Sequence, residues 1–207
     1  MKKGGRSRRI ELREQSVLID GYVNAVGRDS RPIRDRRTGE KFIEQIVPGA
    51  FKKALERADD IEILLNHDHS RKLGSTKENI KLFEDNIGLR AIAEITDAEI
   101  VKKAKEKKLR GWSFGFVEKK ASEEDTKTGV KRRYVEELEL KEVSLIDERK
   151  LPCYAGTSVY LRSEGEEVIE ERAEETEAVY EDLRAGEKPD LSSYKNRIKN
   201  LGGKIKE

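Results

Sequence analysis

Up to about residue 162, apolar and polar positions alternate in short runs separated by turn residues. Residues 9–13 alternate, and residues 17–23 read as a strand with Gly21 inside it. Residues 28–40 are polar and carry Pro32 and Gly39, which predicts a loop. Residues 42–47 predict another strand, broken by Pro48-Gly49. Residues 50–58 then place Phe51, Ala54, Leu55 and Ala58 on one side of a short helix. Residues 61–65 form an apolar run of strand length. Residues 80–83 and 89–95 predict paired strands across Glu84-Asp85-Asn86. Thr96 or Asp97 caps a second helix running to about Leu109, with Ile100, Val101, Ala104 and Leu109 on its apolar side. Residues 112–117 and 135–146 are strand-like on either side of a turn at 126–129. Many short strands with two helices predict a β-rich α+β domain, built as a closed or partly open barrel with flanking helices.

Charge changes the picture at the C-terminal end. The 207 residues contain 44 Lys+Arg and 42 Asp+Glu, so the whole chain nearly balances at +2, which argues against a polycation that coats nucleic acid. The distribution is uneven. Residues 163–182 hold ten acids and one base, a net of −9, and residues 183–207 sum to +4, which leaves +7 on residues 1–162. The acidic stretch offers only a thin helical stripe of Val168, Ile169, Ala173, Glu177 and Tyr180. Like charges at this density favour a disordered or marginally helical appendage. The sequence therefore divides into a domain of residues 1–162 and a charged tail of residues 163–207. No run approaches the roughly 20 apolar residues that span a bilayer, and no apolar stretch follows the basic N-terminus as in a secretory signal. A cytoplasmic protein is expected. The single cysteine, Cys153, excludes an intrachain disulfide framework and a Cys-rich zinc site.

Three stretches stand out chemically. Asn66-His67-Asp68-His69 holds both histidines of the chain. Trp112-Ser113-Phe114-Gly115-Phe116 sets a serine among aromatics, and Glu142-Val143-Ser144-Leu145-Ile146 puts an acid at the head of an apolar run. A serine hydroxyl attacks poorly unless a neutral imidazole takes its proton and a third group fixes the imidazole tautomer. Alternation places Trp112, Phe114 and Phe116 on a core face and leaves Ser113 and Gly115 on the other.

These pieces resemble the prohead (capsid maturation) proteases of tailed phages, a family related in fold to the herpesvirus assemblin proteases. The matching segments are Gly21-Tyr22-Val23, residues 42–51 ending in Pro48-Gly49-Ala50-Phe51, Leu65-Asn66-His67-Asp68 with Leu73-Gly74, Gly88-Leu89, residues 113–116 and residues 140–146. The resemblance implies a serine endopeptidase, without a cofactor, that cleaves capsid and scaffold proteins and itself inside the assembling procapsid in the host cytoplasm. It puts His67 on the catalytic histidine and Ser113 on the nucleophile. Glu142 is the candidate third member, because assemblin proteases use a second histidine there and none follows His69. Asp68 is its rival. Its partners would be the major capsid protein and its scaffold segment, with a homo-oligomer compatible and neither membrane nor specific nucleic acid involved. Residues 151–155 depart from the family's pattern after the last strand.

Other readings compete. His67 and His69 form an H-x-H pair that on a strand faces one side, which suggests a metal-dependent hydrolase with Asp68 nearby. Ser144 is an alternative nucleophile, and Cys153 lacks a basic neighbour to activate it. A non-catalytic scaffold-associated assembly protein would also use an acidic tail. The basic stretches at 2–13 and 28–37 contain acids and lack interleaved aromatics, so they read as solvated surface.

Overall fold

The computed structural model describes residues 8–35, 38–149, 158–160, 169–175 and 178–184. In chain order the elements are β1 (Arg8–Leu12), β2 (Val17–Ala25), β3 (Ile33–Arg34), β4 (Lys41–Ile46), α1 (Ala50–Arg57), β5 (Glu62–Leu65), β6 (Asp68–Ser75), β7 (Ile80–Glu84), β8 (Gly88–Ile95), α2 (Ala98–Lys105), β9 (Leu109–Asp125), β10 (Lys131–Asp147), β11 (Ser158–Tyr160), β12 (Ile169–Glu175) and β13 (Ala178–Asp182). One sheet runs β13-β1-β2-β8-β7, and the other runs β11-β12-β9-β10-β4-β3, with β5 joined to β10 and β6 to β5. The protein is thus β-rich α+β. Among the described residues each sheet keeps two ends, so of the expected closed or partly open barrel the closed form is not seen. The second sheet curls strongly enough for a side chain of β12 to reach β4, as shown below.

The core lies where the apolar faces meet. Ile10, Val17 and Ile19 of the first sheet and Trp112, Phe114, Phe116, Val143 and Leu145 of the second belong to one buried cluster. β2 lies against both β9 and β12. α1 supports β9 from below: Phe51 is fully buried and meets Phe114 edge-on at 5.2 Å. Its N-terminus has no capping side chain of its own, since Gly49 sits there at φ 90°. Glu84 of β7 supplies the acceptors instead, taking the Gly49 N–H at 2.5 Å and the Lys52 N–H at 2.7 Å. A carboxylate there also suits the positive end of the helix dipole.

Two expectations are corrected. α2 is capped by Asp97, which accepts from the Ile100 N–H at 3.1 Å, but it ends at Lys105 rather than near Leu109. Lys107 turns left-handed at φ 57°, and the N–H groups of Lys107 and Lys108 return to the carbonyls of Ala104 and Lys103. That closing pattern terminates a helix without a glycine. Leu109 is then free to begin β9. The acidic stretch, expected as a helical or disordered tail, contributes β12 antiparallel to β9 and β13 parallel to β1. Its acids find bases on the body: Glu170 pairs with Arg133 at 2.6 Å and Glu181 with Arg9 at 2.8 Å. Self-repulsion counted along the sequence is offset by charges that the fold brings alongside. Cys153 and residues 185–207 lie outside the described residues.

Candidate active site

The nucleophile candidate comes from the middle of a long hairpin. β9 and β10 are each 17 residues long and pair across the turn at 126–129. On β9, Trp112, Phe114 and Phe116 are fully buried in the core, so Ser113 and Gly115 fall on the other face. Across the ladder, Leu140 faces Phe116, Val143 faces Phe114 and Leu145 faces Trp112. The core residues of β10 change parity between 140 and 143 because the register shifts between Leu140 and Glu142. Such an extra residue re-aims the side chains beyond it. Here it sets Glu142 opposite Gly115 and Ser144 opposite Ser113.

The histidine comes from a turn docked on this face. Leu65 of β5 pairs with Asp68 of β6, so Asn66 and His67 are the two loop residues of a tight hairpin. Both have positive φ, 57° and 61°, as a type I′ loop requires. Asparagine tolerates this conformation well, whereas histidine is strained there, by roughly 1–3 kcal/mol. Hydrogen bonds hold the turn in place. The Asn66 N–H donates to the Leu145 carbonyl at 3.0 Å, and its side-chain amide exchanges bonds with Asp147, donating to Oδ1 at 2.8 Å and accepting from the backbone N–H at 3.1 Å. The His67 N–H donates to Ser144 Oγ at 2.9 Å. Burial works against the Asp147 charge, but bonds from Asn66, the Arg149 N–H, Lys103 and Arg149 hold its pKa below the ordinary range.

These elements bring three side chains together. His67 Nε2 lies 2.7 Å from Ser113 Oγ, and its Nδ1 lies 2.7 Å from Glu142 Oε1. Ser144 Oγ donates to the other carboxylate oxygen of Glu142 at 2.6 Å. Ser144, considered as a rival nucleophile, is thus a clamp that ties the His67 main chain to Glu142. Asp68 is exposed and turns to Ser70, bonding its N–H at 2.9 Å and its hydroxyl at 2.6 Å, which lower its pKa. It makes none of the contacts to the imidazole. The H-x-H pair is not a shared face either: His67 sits in the left-handed turn and His69 is exposed on β6. Among the described residues, no group of three or more His, Cys, Asp or Glu is arranged to hold a metal ion.

Gly115 is required by close approach rather than by conformation. A Cβ there would lie 2.6 Å from Glu142 Oε1, the atom facing His67. Gly115→Ala is therefore expected to push the carboxylate off the imidazole and lower catalysis about 10²-fold, the usual effect of a misplacement near 1 Å. Activity relative to Ser113→Ala, with a thermal melt as control, checks this.

The remaining wall is β12, which the sequence reading missed. Ala173 pairs with Ser113, and the Ser113 hydroxyl donates to the Arg172 carbonyl at 2.7 Å. Glu171 Oε2 lies 3.5 Å from His67 Nε2. The Arg172 side chain points to the opposite face. It crosses the Phe116 ring with 5.2 Å to the ring centre, pairs with both oxygens of Glu44 at 2.7 and 2.9 Å, and also meets Glu170. Burial works against this guanidinium, but Glu44 and Glu170 outweigh it and hold its pKa above the ordinary value. Breaking such a buried pair by deleting one partner costs about 3–5 kcal/mol. The one signal in the sequence was a lone arginine within a run of acids.

A buried serine in contact with an imidazole backed by a carboxylate, on a β-rich scaffold, is the arrangement that serine hydrolases use. Its membership is narrower. Residues 6–175 match the caudovirus prohead serine protease family, and the chain belongs to that family of serine proteases. No curated protein and no solved structure matches it.

Proposed function

We propose that this chain is a capsid-maturation endopeptidase in which Ser113 is the nucleophile, His67 the general base and acid, and Glu142 the orienting carboxylate. The supporting observation is the unbroken hydrogen-bond line from Ser113 Oγ through both ring nitrogens of His67 to Glu142. Ser113 Oγ attacks the scissile carbonyl carbon as its proton passes to Nε2. Glu142 keeps the Nδ1 hydrogen in place and balances the imidazolium charge. The same proton then goes to the leaving amine as the C–N bond breaks. Water, deprotonated by His67, hydrolyses the acyl-enzyme and restores the serine. No step needs a cofactor.

Family membership points to capsid proteins as substrates. The finer reading names the major capsid protein and its scaffold segment, met inside the assembling procapsid in the host cytoplasm. The chain's own C-terminal residues would be a further substrate. Among the described residues no helix is long and apolar enough to cross a membrane. Co-expression with the cognate capsid protein tests the reading: the parent chain is expected to shorten it and Ser113→Ala to leave it whole. Normal processing by the variant overturns the assignment.

A further inference from the structure

Ser113 is 1% exposed and the His67 side chain 7%, so no peptide reaches the nucleophile in this arrangement. The cover is a piece of the same chain. β12 runs antiparallel along the side of β9 opposite to β10, with Ala173 across from Ser113. A substrate that adds to β9 as an extended strand needs this same edge.

The hydrogen bonds show what the cover does to the chemistry. A carbonyl oxygen can only accept, so the Ser113 hydrogen is committed to the Arg172 carbonyl at 2.7 Å. Ser113 Oγ also lies 2.7 Å from His67 Nε2, but a hydroxyl has one hydrogen, and while it points at Arg172 it is not donated to the imidazole. Nδ1 faces the Glu142 carboxylate at 2.7 Å. Glu171 sets a second carboxylate 3.5 Å from Nε2, the nitrogen that has to take the serine proton.

We propose that β12 is a self-inhibitory strap. It occupies the substrate edge of β9, turns the Ser113 hydrogen away from His67 and sets the Glu171 carboxylate beside Nε2, and its release switches the protease on. The inference rests on Ser113 being the nucleophile. The latch is the Arg172–Glu44 pair, which fastens β12 to β4. Displacing the strap leaves β9 with a free edge for an extended peptide and returns the serine hydrogen to His67. The class of activator this implies is a competing extended strand, which the substrate itself can supply.

The test is the rate at which a fluorophosphonate reagent labels Ser113 in the full-length chain, read by mass spectrometry beside hydrogen exchange of residues 169–175. Glu44→Gln keeps an acceptor for Arg172 but loses the charge. It is expected to label at least tenfold faster than the parent, with faster exchange across β12. Glu171→Gln, which leaves the latch intact, is expected to label faster without that change in exchange, and it carries the test should Glu44→Gln not fold. Rates within threefold of the parent, or lower, in the folded variants make β12 a permanent wall of the site and overturn the proposal. If Ser113 still drives capsid-protein processing in that case, only the strap fails. If neither processing nor labelling depends on Ser113, the reading beneath it fails.

Discussion

His67→Ala is expected to slow capsid-protein cleavage by about 10⁶-fold, and adding Ser113→Ala is expected to cost nothing further, because members of such a unit are not additive. The reason is visible in the contacts. Ser113 Oγ has His67 Nε2 as its acceptor once the Arg172 carbonyl withdraws, and no other basic side chain touches it among the described contacts. Without the imidazole the hydroxyl keeps its proton, and deleting the hydroxyl as well removes nothing that still works. The substitution also has a structural cost. It leaves the buried Glu142 Oε1 without its ring partner, a penalty of about 1–3 kcal/mol, and it asks alanine to hold φ 61°. His67→Asn, which tolerates that conformation, is the control for folding and is expected to be equally inactive. Cleavage rates for the parent, both single variants and the double variant, each with a thermal melt, decide the matter. A double variant that falls well below either single one would mean that Ser113 and His67 act separately.

The sequence carried the strands well where burial alternates, as along β2, and the hairpin of β7 and β8 where a polar turn separates two alternating runs. It was silent on β6, because residues 68–72 are exposed or half-buried and mostly polar. It singled out Ser113 and His67 as candidates through scarcity, a serine among aromatics and a histidine from the one pair, and through the family resemblance. It preferred Glu142 to Asp68 as the third member without deciding between them. That choice depends on the bulge before Glu142, which reverses the parity of β10, and on the left-handed turn that swings His67 toward β10 while Asp68 turns to Ser70. Neither leaves a one-dimensional pattern. The C-terminal strands were misread for a different reason. A count of acids along residues 163–182 measures their repulsion for one another, but Glu170 and Glu181 sit beside Arg133 and Arg9 from distant parts of the chain. Opposite net charges on the body and the acidic stretch were the hint that the two would meet.

Glu142→Gln is expected to lower the turnover rate by about 10⁴-fold while leaving the fold intact. The neighbouring hydrogen bonds explain why so small a change is so costly. Ser144 Oγ accepts from the His67 N–H and donates to Glu142 Oε2, so it presents a hydrogen that needs an oxygen. In the glutamine variant the amide satisfies Ser144 by turning its oxygen toward it, which turns the NH₂ toward His67 Nδ1. Nδ1 must then accept, the remaining ring hydrogen moves to Nε2, and the imidazole faces Ser113 in the tautomer that cannot take a proton. The opposite amide orientation keeps the tautomer but leaves the Ser144 hydrogen without its acceptor and removes the charge that balances the imidazolium. Either way the base is disabled. Ser144→Ala combined with Glu142→Gln separates the two effects: with the Ser144 hydrogen gone, the amide can turn its oxygen to Nδ1, and the double variant is expected to regain part of the lost activity over Glu142→Gln alone. Asp68→Asn serves as the comparison and is expected to cleave at the parent rate, since its carboxylate is engaged with Ser70. A Glu142→Gln variant at full activity beside an inactive Asp68→Asn would transfer the orienting role to the other acid.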